Sequence, residues 1–395
     1  MKRIAVLGST GSIGTSTLAV VEAFPEHFEV VAIAAGGNLG CLRGQLKRHR
    51  PAVVSVARAE DAETLANEFS DLQILWGADG LEQIARHADA DLVVVAVVGA
   101  IGLAPTLAAL GAGKNVALAN KETLVVAGDL VMDAARRAGV LLLPVDSEHS
   151  AIHRALRGGT TEGVARLILT ASGGPFRTWS LEAIKTATRD DALKHPTWQM
   201  GAKITIDSAT MMNKGLEIIE AHHFFGVPER QIDVVIHPQS LIHAMVESAD
   251  GAVTAQLSAN DMRLPIAYAL AWPERLVEVS PPLDFTSFPA LTFEVPDRDR
   301  FPALDLARAA LRAGGEMPAV LSAANEVAVT AFLDGRCPFP AVTTTVAETL
   351  DAWSARNRPL VDIDQALAAD GEARLMAADT IMKYGEPVHG SEIRC

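Results

Sequence analysis

The stretch Ile4-Ala5-Val6-Leu7-Gly8-Ser9-Thr10-Gly11-Ser12-Ile13-Gly14 runs from an unbroken apolar segment straight into glycines spaced three apart. A short apolar run of this kind suits a strand covered on both faces. The glycines suit a tight turn into a helix whose free N–H groups face an anion. The spacing is G-x-x-G-x-x-G, not the G-x-G-x-x-G fingerprint, and the same letters fit a strand–helix turn without a ligand. Its place on the first strand–helix unit favours the pyrophosphate of a dinucleotide.

Outward from that turn, apolar runs alternate with helical stretches. Ile4 to Leu7, Glu29 to Ala34, Ala52 to Val56, Gln73 to Trp76, Leu92 to Val98, Asn115 to Ala119 and Val140 to Val145 read as strands. Thr15 to Phe24 and Leu124 to Ala138 carry helical periodicity. Repeated strand–helix units imply a parallel, doubly wound, Rossmann-like sheet over residues 1–145. Residues 146–271 change rhythm. Arg166 to Ala171, Asp233 to Ile236, His243 to Glu247 and Val253 to Leu257 read as strands, with Asp250-Gly251 as a hairpin turn, giving an α+β domain. Residues 272–301 carry Pro273, Pro281, Pro282, Pro289 and Pro296 and read as an extended linker. Residues 302–395, with Ala-rich patterns at Leu304 to Ala313, Ala319 to Leu333 and Ala341 to Ala355, read as a helical domain. The fold class is therefore α/β, with a central α+β domain and a C-terminal α-helical one.

The net charge of −14 over 395 residues argues against nucleic acid, whose partners cluster Lys and Arg. Cys41, Cys337 and Cys395 have no CxxC spacing and fit a reducing, cytoplasmic setting. Leu92 to Gly113 carries no charge and is long enough to span a bilayer. It contains Pro105 and four glycines, however, and its β-branched residues sit in its first half, so a strand, a loop and a short helix explain it better. No membrane association is expected.

The end of the second strand separates NAD from NADP. Ala34-Ala35-Gly36-Gly37-Asn38 has no carboxylate for ribose hydroxyls, which favours a 2′-phosphate; Arg43, Lys47 and Arg58 are the cations nearby in sequence. Asp146-Ser147-Glu148 follows the last apolar strand of the sheet. In an extended segment its two carboxylates would point to one side and share a hard cation, with Glu217 as a third ligand. Asp146 and Ser147 read equally well as caps of a following helix. His149 and His153, at i and i+4, form a rival metal pair that lacks the H-E-x-x-H order and is discounted, and His237 and His243 read as structural.

Small polar clusters suggest an anion pocket: Thr170-Ala171-Ser172-Gly173-Gly174, then Asp207-Ser208-Ala209-Thr210 with Asn213 and Lys214, and Lys121 after a strand. Lys194-His195-Pro196-Thr197-Trp198-Gln199-Met200-Gly201 reads as a lid, or as a loop anchored by a core Trp.

Taken in order, the Gly8–Gly14 turn, Asn120-Lys121-Glu122, Asp146 to His149, Ala171 to Phe176, His195 to Trp198, Asp207 to Glu217, His237 to Ser240 and Ala324-Asn325-Glu326 resemble the 1-deoxy-D-xylulose 5-phosphate reductoisomerase family over nearly the whole chain. The unbroken Asp207–Glu217 block is the most specific part. The resemblance implies an NADPH-dependent oxidoreductase of isoprenoid precursor synthesis that rearranges and reduces a sugar phosphate, and a homodimer. It implies NADPH contacts from Thr10, Gly11, Ser12, Ile13, Gly36, Asn38, Asn120, Glu122 and Gly201. It implies one Mg²⁺ or Mn²⁺ on Asp146, Glu148 and Glu217. Lys121, Ser147 and Glu148 would face the reacting end of the substrate; Ser172, Ser208, Asn213 and Lys214 its phosphate; with His195 close by and Trp198 in the closing flap. Lys121, Glu148 and His195 are the catalytic candidates. The family usually carries a basic or larger polar residue where Gly37 stands, so the 2′-phosphate contact would pass to Asn38 and a basic residue such as Arg58. Two other readings use parts of this pattern: a metal-independent NADPH semialdehyde dehydrogenase, marked by activity surviving EDTA, and a non-catalytic NADPH sensor. Neither accounts for the Asp207–Glu217 block.

Overall fold

The computed structural model describes residues 1–158, 160–198, 200–287 and 290–384; Gln199, Pro289, Cys395 and the end of the expected helical domain (385–395) lie outside the described residues. The chain begins with β1 (Lys2–Leu7), α1 (Ser12–Ala23), β2 (Phe28–Ala34), α2 (Leu39–His49), β3 (Val53–Val56), α3 (Ala59–Glu68), β4 (Gln73–Trp76), α4 (Gly77–Ala85) and β5 (Leu92–Val95). It continues with α5 (Leu103–Gly111), β6 (Asn115–Leu118), α6 (Lys121–Ala138) and β7 (Leu142–Pro144). These strands form one parallel sheet in the order β4-β3-β2-β1-β5-β6-β7. The order reverses between β1 and β5, so a crevice opens at their carboxyl ends, where ligands of such sheets sit. The uncharged run from Leu92 resolves as strand, loop and short helix, and among the described residues no helix is long and apolar enough to cross a membrane.

Two glycines of the first turn are dictated by contact. Gly8 has φ +85, and a Cβ there would lie 2.5 Å from Ala96 O at the end of β5; at Gly14 a Cβ would lie 2.2 Å from Gly8 O. Gly8 allows the turn to press against the neighbouring strand, and Gly14 lets α1 pack on its own turn.

A second unit follows: α7 (Ser147–Ala155), β8 (Val164–Ala171), α8 (Leu181–Lys185), α9 (Arg189–Ala192), α10 (Ala202–Ala209), α11 (Met212–Phe225), β9 (Ile232–Ile236), β10 (Ile242–Ser248) and β11 (Val253–Leu257). Its sheet has the order β11-β10-β8-β9; β8 runs parallel to β9 and antiparallel to β10. The Asp250-Gly251 hairpin pairs Glu247 with Val253, as its turn residues require. α12 (Arg263–Ala271) closes this stretch of chain, yet Ile266, Ala267, Ala269 and Leu270 pack into the core of the first sheet. The proline-rich segment is not free: Glu294 bridges to Ile236, extending the second sheet beyond β9, and Phe293 stacks on His237 at 5.1 Å.

The helices α13 (Ala303–Ala313), α14 (Met317–Leu333), α15 (Phe339–Ser354) and α16 (Ile363–Met382) complete the described chain. Their core, around Val320, Leu321, Ala324, Leu350 and Trp353, also takes in Val125 of α6 and Leu216 of α11. The helical layer thus rests on the two helices that carry site residues.

Candidate active site

Three strand ends and one helix pair build the site. β6 is followed by Asn120-Lys121, β7 by Asp146-Ser147-Glu148 and β8 by Ser172, while α10 and α11 meet at Thr210-Met211. Met211 takes the left-handed conformation (φ 64), which an unbranched side chain tolerates at a modest cost, and this turns α11 back across the end of α10. The whole Asp207–Glu217 block therefore wraps one corner of a cavity of about 1080 Å³, counted to its open mouth.

Lys121, Asp146, Ser147, Glu148, Ser172, His195, Trp198, Gly201, Ser208, Asn213, Lys214 and Glu217 all line that cavity, and Ser12 and Ile13 of the first turn border it. Sequence positions up to two hundred apart are brought onto one wall. Carboxylate oxygens of Asp146, Glu148 and Glu217 lie within 4.8 Å of one another. The route differs from the extended segment the sequence suggested: Asp146 is the N-cap residue of α7 and Glu148 lies in its first turn. The rival capping reading also fails for Asp146, whose side chain makes no cap bond and instead accepts from Lys121.

The electrostatics are those of a cation site. Lys214 Nζ donates to Glu148 Oε1 at 2.7 Å and to Glu217 Oε2 at 2.5 Å, and Asn213 Nδ2 donates to Glu217 Oε1 at 2.5 Å. Burial and the neighbouring Glu148 push the Glu217 carboxyl above its usual range, whereas Lys214 holds Glu148 below it despite burial. Burial also raises Glu220, and it opposes the charge of Lys121, which Asp146, Glu217 and Glu220 outweigh. Four carboxyl groups, Asp146, Glu148, Glu217 and Glu220, thus share this corner with the ammoniums of Lys121 and Lys214, an oxygen-rich set that suits a divalent cation. His149 is buried; its Nε2 meets Glu217 O at 2.9 Å, and its Nδ1 lies 3.7 Å from Glu220. His153 turns away to Tyr268 Oη at 2.7 Å, so the two histidines do not form a metal pair.

A second cluster lies along the same wall. His195 Nε2 is 3.1 Å from both Ser172 Oγ and Ser208 Oγ, and its Nδ1 accepts from the Trp198 amide at 3.0 Å. Burial depresses His195 to about 4, so it is neutral near pH 7. The flap segment folds around this ring, with Trp198 half-buried over the cavity and 6.3 Å from His243. Thr170 also lines the cavity, its hydroxyl donating to Ile242 O at 2.6 Å. His237 is structural, bonding Thr292 O at 2.9 Å, whereas His243 lines the cavity while bonding Ser258 Oγ at 2.8 Å.

Several expected cofactor residues have other duties. Asn38 Oδ1 caps α2, accepting from the Cys41 amide at 3.1 Å. Asn120 caps α6, and its Nδ2 donates to Val97 O, Gly99 O and Glu122 Oε2. Glu122 is buried, its other oxygen held by Lys203 at 2.8 Å. Thr10, Gly11, Gly36, Asn38, Asn120 and Glu122 do not line the main cavity; Thr10 is half-buried, and Gly11 and Gly36 are exposed beside the carboxyl edge of the first sheet.

Sequence reasoning missed Lys203 and the partner role of Asp207, and it gave no role to Ser240, which lines the cavity. Lys203 Nζ bridges Glu122 and, at 2.9 Å, Asp207 Oδ2; Asn325 of α14 donates to Asp207 Oδ1 at 2.7 Å. The i, i+4 spacing of Lys203 and Asp207 was a usable signal for one contact of this chain.

The pattern of the 1-deoxy-D-xylulose 5-phosphate reductoisomerase family matches residues 4–128, with its C-terminal domains matching 142–225 and 257–376. The chain belongs to that family. A reductoisomerase of this name from Pelodictyon phaeoclathratiforme is 54% identical over 379 residues, covering 95% of this chain and 99% of the relative. One from Geobacter metallireducens is 53% identical, covering 96% and 99%. Among solved reductoisomerases, that of Zymomonas mobilis in complex with NADPH is 44% identical with a TM-score of 0.88, covering 96% of this chain and 99% of that one. A DOX-P reductoisomerase in complex with NADPH, fosmidomycin and magnesium is 40% identical with a TM-score of 0.92, covering 98% and 100%. The doubly wound first sheet, the mixed second sheet and the helical layer are thus the architecture of the reductoisomerase family.

Proposed function

We propose that this chain catalyses the NADPH- and divalent-metal-dependent rearrangement and reduction of 1-deoxy-D-xylulose 5-phosphate to 2-C-methyl-D-erythritol 4-phosphate, in non-mevalonate isoprenoid precursor synthesis. The observation that carries this reading is one cavity joining the Asp146–Glu148–Glu217 carboxylates to the Ser172–His195–Ser208 cluster and bordered by the Gly8–Gly14 turn. Asp146, Glu148 and Glu217 would hold Mg²⁺ or Mn²⁺, and the first-turn N–H groups of α1 would receive the NADPH pyrophosphate. When bound, the cation supplies Lewis acidity toward substrate oxygens and NADPH supplies the hydride.

The chain's own residues do the rest. Lys121, a buried ammonium at the strand end, stabilises negative charge developing on the substrate oxygen. Glu148 Oε2, which accepts from Ser147 Oγ at 2.5 Å, takes and returns a hydroxyl proton. Ser172, Ser208 and neutral His195 converge on the phosphate, and Asn213 and Lys214, which line the same cavity, would join them. Gly201 and Trp198 line the same cavity, where closing the flap would exclude water.

A homodimer is the matching assembly: β11 is a sheet edge with Val253 51% exposed, ready to pair with a second copy. Free Cys41 and Cys337 fit the reducing cytoplasm. The test is oxidation of NADPH with 1-deoxy-D-xylulose 5-phosphate, followed with and without Mn²⁺. Metal-dependent oxidation is expected; oxidation unaffected by EDTA would overturn the proposal in favour of a metal-free dehydrogenase.

A further inference from the structure

We propose that Arg58 reads the 2′-phosphate of NADPH and sets the preference for NADPH over NADH; this rests on the dinucleotide reading of the first sheet. After β2, Gly36 and Gly37 supply no side chain for that group, and Asn38 offers only its neutral Nδ2 amide. A Cβ at Gly36 or Gly37 would meet nothing within 4 Å, so the space beside them is open, and Asn38 is turned into its helix cap. The nearby cations then separate by geometry. Arg43 is held bidentately by Glu68, at 2.7 Å from both Nε and Nη2. Lys47 lies in the last turn of α2, at the end away from the carboxyl edge.

Arg58 is the cation the strand register brings to the right place. β2 and β3 run parallel with Ala34 paired to Ser55. Gly37 and Arg58 each follow that pair by three residues, in the loops that leave the carboxyl ends of β2 and β3. The guanidinium is exposed, yet oriented: Nε and Nη2 donate to the Asp61 carboxylate at 2.9 and 3.0 Å, and that carboxylate is only 8% exposed. Nη1 makes no hydrogen bond among the described residues. A planar donor fixed by a carboxylate beneath it, beside a gap that two glycines leave open, suits a phosphate monoester. The nearby Glu60 and Asp61 charges limit the attraction to a group that engages Nη1 directly.

The experiment is titration of the full-length protein with NADPH and NADH by nucleotide fluorescence, with 2′,5′-ADP and 5′-AMP as competitors, for wild type, Arg58→Gln and Arg58→Lys. Wild type should bind NADPH more tightly than NADH and release it to 2′,5′-ADP in preference to 5′-AMP. Arg58→Gln should weaken NADPH by about tenfold or more while leaving NADH unchanged, the loss expected for one charge-assisted contact. Arg58→Lys should fall between the two, and an unchanged melting curve would confirm that the exposed substitution left the fold intact. Tight NADPH binding that Arg58→Gln does not alter, or parallel loss of NADPH and NADH, would overturn the assignment of Arg58. Failure of wild type to bind either nucleotide would instead overturn the dinucleotide reading itself, and the assignment of Arg58 with it.

Discussion

Lys214 donates to Glu217 one helical turn away, its Nζ 2.5 Å from Oε2, and the same ammonium lies 2.7 Å from Glu148 Oε1. A lysine thus stands between two of the three carboxylates, supplying the positive charge that a divalent cation would supply. Lys214 and a cation bound there would therefore compete for Glu148 and Glu217.

Of the three proposed ligands, Glu217 is the one whose loss should be felt most, because its own carboxyl is raised by burial and by Glu148. Glu217→Gln should lower kcat/KM by roughly a hundredfold or more. Mn²⁺ affinity, followed by the electron-spin signal of the free ion, should fall in parallel while NADPH binding is unchanged. Full activity in that variant would remove Glu217 from the metal set.

Chelation should abolish turnover, and Mg²⁺ or Mn²⁺ should restore it. Because the folded site holds the cation and the unfolded chain does not, metal at a hundred times its Kd should stabilise the protein by about 2.7 kcal/mol. A melting temperature that does not respond to Mn²⁺ would argue against a folded-state site.

Lys203 is bracketed by Glu122 and Asp207, both buried. Lys203→Met leaves two buried carboxylates without their cation and should cost about 3–5 kcal/mol of stability. Adding Glu122→Gln should recover part of that loss, giving a measurable coupling in denaturant unfolding. Strict additivity would show that the pair does not act as a unit. Asn325→Leu should cost about 1–3 kcal/mol, since it strips Asp207 of a buried donor.

His195 provides a pH signature. Burial lowers its folded pKa to about 4 from the ordinary 6.5, so folding disfavours its proton. Its contribution to stability is therefore complete above pH 6.5 and is lost progressively as the pH falls toward 4. Between those limits, the melting temperature of His195→Gln should decline less steeply with acidification than that of wild type. Identical slopes would place the titration elsewhere.

Much of this molecule was legible in the chain. Continuously apolar runs, set off by glycines and helical stretches, specify strands buried on both faces, and only a parallel, helix-covered sheet provides that burial. Ile4–Leu7 and Leu92–Val95 show that burial, and local patterns also placed the edge strands Gln73–Trp76 and Val253–Leu257 at their observed bounds and the other expected strands within a few residues. α16 was not picked out because the positions it buries are largely alanines, Ala366, Ala369, Ala373 and Ala377, which leave little apolar stripe to read.

The sequence alone also nominated the residues proposed to carry the chemistry, because their motifs stand in order along the chain. Only the tertiary structure decided how they meet. It put Asp146 and Glu148 at a helix start instead of an extended segment, turned α11 back through the left-handed Met211, and tied Asp207 to Lys203 and Asn325 from separate elements. Spacing along a chain reports only neighbours within a strand or a turn. Contacts between distant elements depend on which faces must be buried against one another, and that is settled by the packing of the whole core.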